Sequence, residues 1–205
     1  MRCSMAVILT FLGLSLLVEG AYAVVSPKAQ IQETVDQVIE VLREKQLQGD
    51  SRRQMLSRLI RARFNFEIMS QRTLGKYWKT ATSAEQERFV ELYSDLLEAS
   101  YIGRIEAYSD ETVDYREEKI DEGRAEVATT VNSGNTHIPI VYRLVQQGDG
   151  WFVYDVVIEE VSLIRNYRNS YGEIVRKEGY AGLFGRMEEK ISELRQSSAS
   201  ATGQQ

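Results

Sequence analysis

The residues able to do chemistry are few. His137 is the single histidine of the chain and Cys3 the single cysteine, so a zinc site of histidine and cysteine ligands, a cysteine–histidine nucleophile pair and a di-histidine motif are all ruled out. His137 stands just after the Ser133-Gly134-Asn135 turn, and the chain has no nucleophile-elbow sequence that would supply it with a serine partner; it reads as a surface residue. Carboxylates sufficient for a glycosidase pair exist by number, but they crowd one run whose spacing does not converge on a pocket. Gly179-x-x-Gly182-x-x-Gly185 interrupts a helical stretch and does not follow a strand, so it is not a phosphate-cradling fingerprint. The chain is therefore expected not to be an enzyme and to hold no metal.

The charges are segregated. Arg52, Arg53, Arg58, Arg61 and Arg63 share one short stretch, while Glu106, Asp110, Glu111, Asp114, Glu117, Glu118, Asp121, Glu122 and Glu126 fill another. Two solvated faces explain this, and so does a basic face that docks on anionic lipid or an acidic partner. The net charge of −5 lacks the basic field of a nucleic-acid binder, and the chain is expected to be a monomer with no nucleic-acid partner.

The amino terminus sets the compartment. Arg2, an apolar run from Ala6 to Val18 and the small-residue pattern Ala21-Tyr22-Ala23 describe a secretory signal cleaved after Ala23. A membrane anchor is the rival, but that run falls short of the roughly 18–20 apolar residues a span needs. Cys3 precedes the apolar run, where it cannot carry the lipid of a lipoprotein. Residues 1–23 are thus expected to be a signal peptide, 24–196 one domain without disulfides, and 197–205, SSASATGQQ, a disordered tail, being small and polar with no periodicity.

The first half of that domain reads as helices. Ser26-Pro27 is a cap followed by a first-turn proline, with Ile31, Val35, Val38 and Leu42 on one face and Gly49 at the end. Asp50 is expected to cap the next helix. Phe64 to Trp78 forms a short helical piece ending near Gly75, and Thr82-x-x-Glu85 opens a long helix by a capping box. Its apolar stripe is Phe89, Tyr93, Leu96, Leu97, Tyr101, Ile105 and Tyr108. After Ser109 the period becomes two. Val113 and Tyr115, then Ala125 to Val131, then Ile138 to Leu144, then Trp151 onward make four strands joined by short turns, an antiparallel meander. Pro139 favours an edge position or a bulge. Two closing helices split at Gly179 follow.

The fourth strand is unusual, because Trp151, Val153 and Val157 alternate with Phe152, Tyr154, Val156 and Ile158. Both of its faces are apolar, so it is either covered on both sides or lines something other than water.

Several stretches resemble the toluene-tolerance family of periplasmic phospholipid-binding proteins, the MlaC family. They are Phe64-x-Phe66, Leu74-Gly75-x-x-Trp78, Gln86-x-Arg88-Phe89, Trp151-x-x-Tyr154-Asp155, Val161-Ser162, Asn166-Tyr167-Arg168 and the closing EGYAGLFGRMEEK, in that order, and the similarity runs from about Val35 to Leu194. Asn65 stands where the family commonly has aspartate, and Glu160 where it has glycine. The resemblance implies an α+β fold, a helical layer wrapped on a twisted antiparallel sheet of four or five strands. Between them it implies a deep apolar cavity for acyl chains, with bound phospholipid as cargo and no cofactor. It also implies partners: an inner-membrane ABC transporter with an MCE-domain protein, and an outer-membrane lipoprotein complex.

On that footing the residues expected to touch lipid are Phe89, Tyr93, Leu96, Leu97 and Tyr101 of the long helix, and Ile138, Ile140 and Tyr142 of the third strand. Val153, Val157 and Val161 are expected from the fourth strand, with Phe66 and Met69 bordering the mouth. Taken from periodicity alone, the same stripes fill the core of any two-layer domain. A carrier of a hopanoid-type polycyclic lipid and a protein-interaction module with a filled cavity remain alternatives.

Overall fold

Capping chemistry decides where the helices begin. In the computed structural model, which describes residues 25–107 and 111–202 with side chains to 198, α1 spans Pro27–Arg43 and the Ser26 hydroxyl accepts the Ala29 N–H at 3.1 Å. The expected signal segment, Tyr108 and Asp110 lie outside the described residues. α2, Gly49–Arg63, starts at Gln48 without a side-chain cap, and Asp50 lies in its first turn instead of capping it. α3, Phe66–Leu74, is capped by Asn65, whose Oδ1 accepts the Ile68 N–H at 2.8 Å. The Asn65 amide also donates to Gln147 Oε1 at 2.8 Å, a bond that an aspartate, having no donor when ionised, could not make. A 3-10 turn, Gly75–Thr80, leads to α4, Ser83–Glu106, which opens with the complete Thr82/Glu85 capping box.

The second half is an open antiparallel sheet in the order β1-β2-β3-β4-β5, with β1 at Thr112–Asp121, β2 at Arg124–Ser133, β3 at Thr136–Gln147, β4 at Gly150–Ile158 and the short β5 at Val161–Ser162. The β1–β2 and β4–β5 hairpins turn on Glu122-Gly123 and Glu159-Glu160, all with positive φ, as the two-residue mirror-image turns require. β3 is an interior strand, yet it contains Pro139. The Pro139 carbonyl accepts the Glu159 N–H at 3.0 Å, and a strand residue aims its N–H and C=O at the same neighbour. The donor that proline lacks would therefore face the turn beyond the end of β4, and no bond between strands is lost.

α5, Leu163–Thr202, breaks at Gly179, where φ is 71° and ψ −173°. It runs to Thr202, past residue 197, where the expected tail begins, and the Ser197 and Ser198 hydroxyls donate back to the Leu194 carbonyl, both at 2.9 Å. Its start is fixed by a buried carboxylate. Asp155 accepts from Ser162 Oγ at 2.7 Å, from the Ile164 N–H at 3.2 Å and from Arg143 Nη1 at 3.2 Å, which locks the end of β4 to the first turn of α5.

The helices cover one face of the sheet in two parts. Where α4 and α5 meet, Phe89 stacks on Tyr93 with ring centroids 5.4 Å apart, and Tyr167 and Tyr171 meet these rings edge-on. Leu183, Met187 and Ile191 extend this closed core. Under α1 and α2 the packing is looser. The first two turns of α1 are tied to the sheet: the Lys28 N–H donates to Glu118 at 2.6 Å and Gln30 Oε1 accepts the Trp151 N–H at 2.9 Å. Its buried residues are confined to Pro27, Gln30 and Ile31.

Candidate functional site

Val38, Ile39 and Leu42 continue the α1 stripe beyond those anchors and form a roof. Beneath it is a cavity of about 410 Å³, within the ~300–1,000 Å³ range of small-molecule sites. Its helical side is completed by Ile60 of α2, Phe66 and Met69 of α3, and Leu97, Tyr101, Ile102 and Ile105 of α4; its floor is Val113 of β1, Val131 of β2, Ile138, Ile140 and Tyr142 of β3, and Val156 and Ile158 of β4. Nearly every group is aliphatic or aromatic, so the space makes few demands for hydrogen bonds.

Polar wall residues are gathered on the helices. Arg61 bonds Asp95 at 2.9 Å and Glu98 at 2.8 Å, and Ser57 Oγ donates to Glu98 at 2.8 Å. Burial works against the Arg61 charge, but the bonds to Glu98 and Asp95 outweigh it and raise its pKa. Arg63 has no carboxylate within bonding distance among the described residues; it donates to Thr34 Oγ1, Gln30 Oε1 and the Trp151 carbonyl. Desolvation accordingly lowers its pKa, with partial relief from the Glu33 charge. Tyr142 is partly buried on the cavity floor, and burial pushes its phenol up to about 12.

Seven of the expected contact residues line this space: Phe66, Met69, Leu97, Tyr101, Ile138, Ile140 and Tyr142. Six do not. Phe89, Tyr93 and Leu96 belong to the filled core, on the part of α4 covered by α5. Val153 is fully buried against that core, Val157 belongs to the opposite parity, and Val161 is 56% exposed on β5.

A bulge explains the strand. Leu144 pairs with Val153, but the preceding Arg143 pairs with Asp155, leaving Tyr154 as an extra residue. The inward set of β4 is Trp151 and Val153 before the bulge, then Val156 and Ile158 after it, opposite Tyr142 and Ile140. One extra residue reverses the alternation, which is why both parities had to be apolar. Sequence reasoning also passed over Ile60, Ile102, Val113 and Val131. Ile102 is off the stripe expected for α4 by one position, while Val113 and Val131, paired to each other across β1–β2, carried the signal of strand alternation.

The basic stretch is largely engaged within the chain. Arg53 pairs with Glu106 at 3.0 Å and Arg61 with two acids, while Arg52 and Arg58 reach backbone carbonyls of Glu44 and Gln54.

Similar proteins share this architecture. The chain is 24% identical over 197 residues to the intermembrane phospholipid transport system binding protein MlaC of Haemophilus influenzae, covering 91% of this chain and 92% of that one. It superposes with a TM-score of 0.75 on a phospholipid-binding protein from Ralstonia solanacearum solved in complex with a phospholipid, at 24% identity, over 83% of this chain and 99% of that one. With the same fold established and the MlaC protein family model matching residues 32–189, this chain belongs to the MlaC family.

Proposed function

We propose that this protein is a periplasmic phospholipid carrier that moves lipid between inner and outer membranes within an Mla-type transport system. The observation that carries this reading is the apolar cavity between the α1–α2–α4 roof and the inward face of the sheet. A diacyl lipid exposes roughly 30 methylenes, and at ~0.8 kcal/mol each its bare passage through water would cost on the order of 25 kcal/mol. A carrier must replace most of that contact, and a cavity with so few polar groups in its floor suits acyl chains. Phe66, Met69, Leu97, Tyr101, Ile138, Ile140 and Tyr142 are the proposed contacts, joined by Val156 and Ile158.

In this reading the chain is exported by a signal cleaved after Ala23, works as one domain, and exchanges cargo with an inner-membrane ABC transporter bearing an MCE-domain ring and with an outer-membrane lipoprotein complex. The relative from Haemophilus influenzae supports the transport role by its name. Mass spectrometry of a lipid extract from the purified protein tests the proposal. Diacyl phospholipid at near one molecule per chain is expected; a polycyclic lipid, or no lipid, overturns it.

A further inference from the structure

Tyr142 is the one floor residue with a polar tip. Its inward neighbours along and across the sheet are Ile140, Leu144, Val127 and Val156, and its hydroxyl makes no hydrogen bond to any described residue. Burial alone accounts for its raised pKa, with no contribution from a neighbouring charge. Partly buried and facing the cavity, this phenol can be satisfied only by what occupies that space, water or cargo.

We propose that the Tyr142 hydroxyl donates a hydrogen bond to an ester carbonyl of the cargo, so that the cavity favours ester-linked glycerolipids over ether-linked ones. This rests on the lipid-carrier reading above. The chemistry of the surroundings selects the acceptor. A phosphate or a free carboxylate would bring a full charge to the apolar floor, whereas the arginines of this cavity, Arg61, Arg63 and Arg104, stand on its helical wall, two of them over the rings of Phe66 and Tyr101. Hydrocarbon has no acceptor at all. An ester carbonyl is neutral, accepts well and sits where the acyl chains of a glycerolipid begin. An ether oxygen at the same position is a weaker acceptor and lies out of line with the carbonyl.

The full-length mature protein, stripped of lipid, would be incubated with vesicles containing equal amounts of diester and diether phosphatidylcholine of matched chains, then re-isolated and its lipid quantified by mass spectrometry. The wild type is expected to enrich the diester about 5-fold, the equivalent of one net neutral hydrogen bond. Tyr142→Phe is expected to bring the diester-to-diether ratio near one, in a protein whose lipid-free urea midpoint is no lower than that of the wild type. A second reading needs no variant: with ¹³C-labelled carbonyls, the ester stretch of lipid bound to the wild type should shift to lower frequency than in the vesicle. Equal uptake of the two lipids by the wild type, an unshifted stretch, or the same enrichment in Tyr142→Phe overturns the ester proposal while leaving the carrier reading intact. Uptake of neither lipid overturns both.

Discussion

Val153 and Val156 face the same side of the sheet although they stand three positions apart in the chain. Strict alternation forbids this; the extra residue at Tyr154 in the β3–β4 ladder permits it. Val153 closes the packed core and Val156 lines the cavity, so the bulge marks where filled interior gives way to open interior.

Filling the floor beyond that boundary should displace cargo. Ile158→Trp and Ile140→Trp are expected to fold and to purify with several-fold less lipid than the wild type, because the added volume occupies the cavity. Val161→Trp, at a site 56% exposed, should change neither lipid content nor melting temperature. Thermal unfolding and lipid per protein, measured on the same samples, check both.

Truncation should separate the two interiors by energy. Phe89, fully buried against Tyr93 and Tyr171, is expected to cost ~3–5 kcal/mol as Phe89→Ala. Ile140→Ala should cost less than ~2 kcal/mol in the lipid-free protein, since one side of that residue already lacks partners. Urea unfolding of delipidated protein measures the difference, and equal costs would mean that the cavity collapses when empty.

Glu160 holds a φ of 67° in the β4–β5 turn, a region in which a residue with a Cβ is strained by ~1–2 kcal/mol. Glycine removes that strain at a smaller cost in chain entropy. Glu160→Gly should therefore stabilise the protein by ~0.5–1 kcal/mol, read as a higher urea midpoint with an unchanged slope.

Stability should fall at alkaline pH. Burial raises the phenols of Tyr93 and Tyr171 as well as that of Tyr142, which reaches about 12. Above pH ~10 the unfolded chain releases these protons while the folded chain keeps them, so the unfolded state binds fewer protons and stability declines by ~1.4 kcal/mol per pH unit for each such tyrosine. The loss begins near the ordinary tyrosine pKa and, for Tyr142, ends near 12. Tyr142→Phe should make the decline shallower between those limits and leave stability at pH 7 free of any titration effect.

Much of this was legible in the chain. Ser26-Pro27, Thr82-x-x-Glu85 and the glycine-bearing hairpins act through the local backbone, so their residues announced α1, α4 and the meander. Asp50 failed as a cap because Gly49 already begins the helix. The α4 stripe identified a buried face without saying what lies across it: α5 covers Phe89, Tyr93 and Leu96, while Leu97, Tyr101 and Ile105 look into open space. Periodicity reports burial and is silent on packing density. The bulge left no mark either. Tyr154 is neither glycine nor proline, and apolar residues on both parities of β4 concealed the change of face, which placed Val157 on the wrong side; Val161 shares the side of its partner Ile158 but stands exposed at the sheet edge.

The uneven anchoring of α1 bears on how cargo gets in and out. This helix is a beam clamped to the sheet at one end, where Lys28 and Gln30 are bonded to Glu118 and Trp151; its far end rests on the cavity through Val38, Ile39 and Leu42 and is bonded to α2, where Arg52 donates to the Glu44 carbonyl. Lifting that end with α2 carried along chiefly parts apolar surfaces, and an acyl chain sliding beneath it supplies the contact just lost. Loading is then an exchange of like for like, with a barrier set by how far the beam must bend and by no unfolding of the sheet.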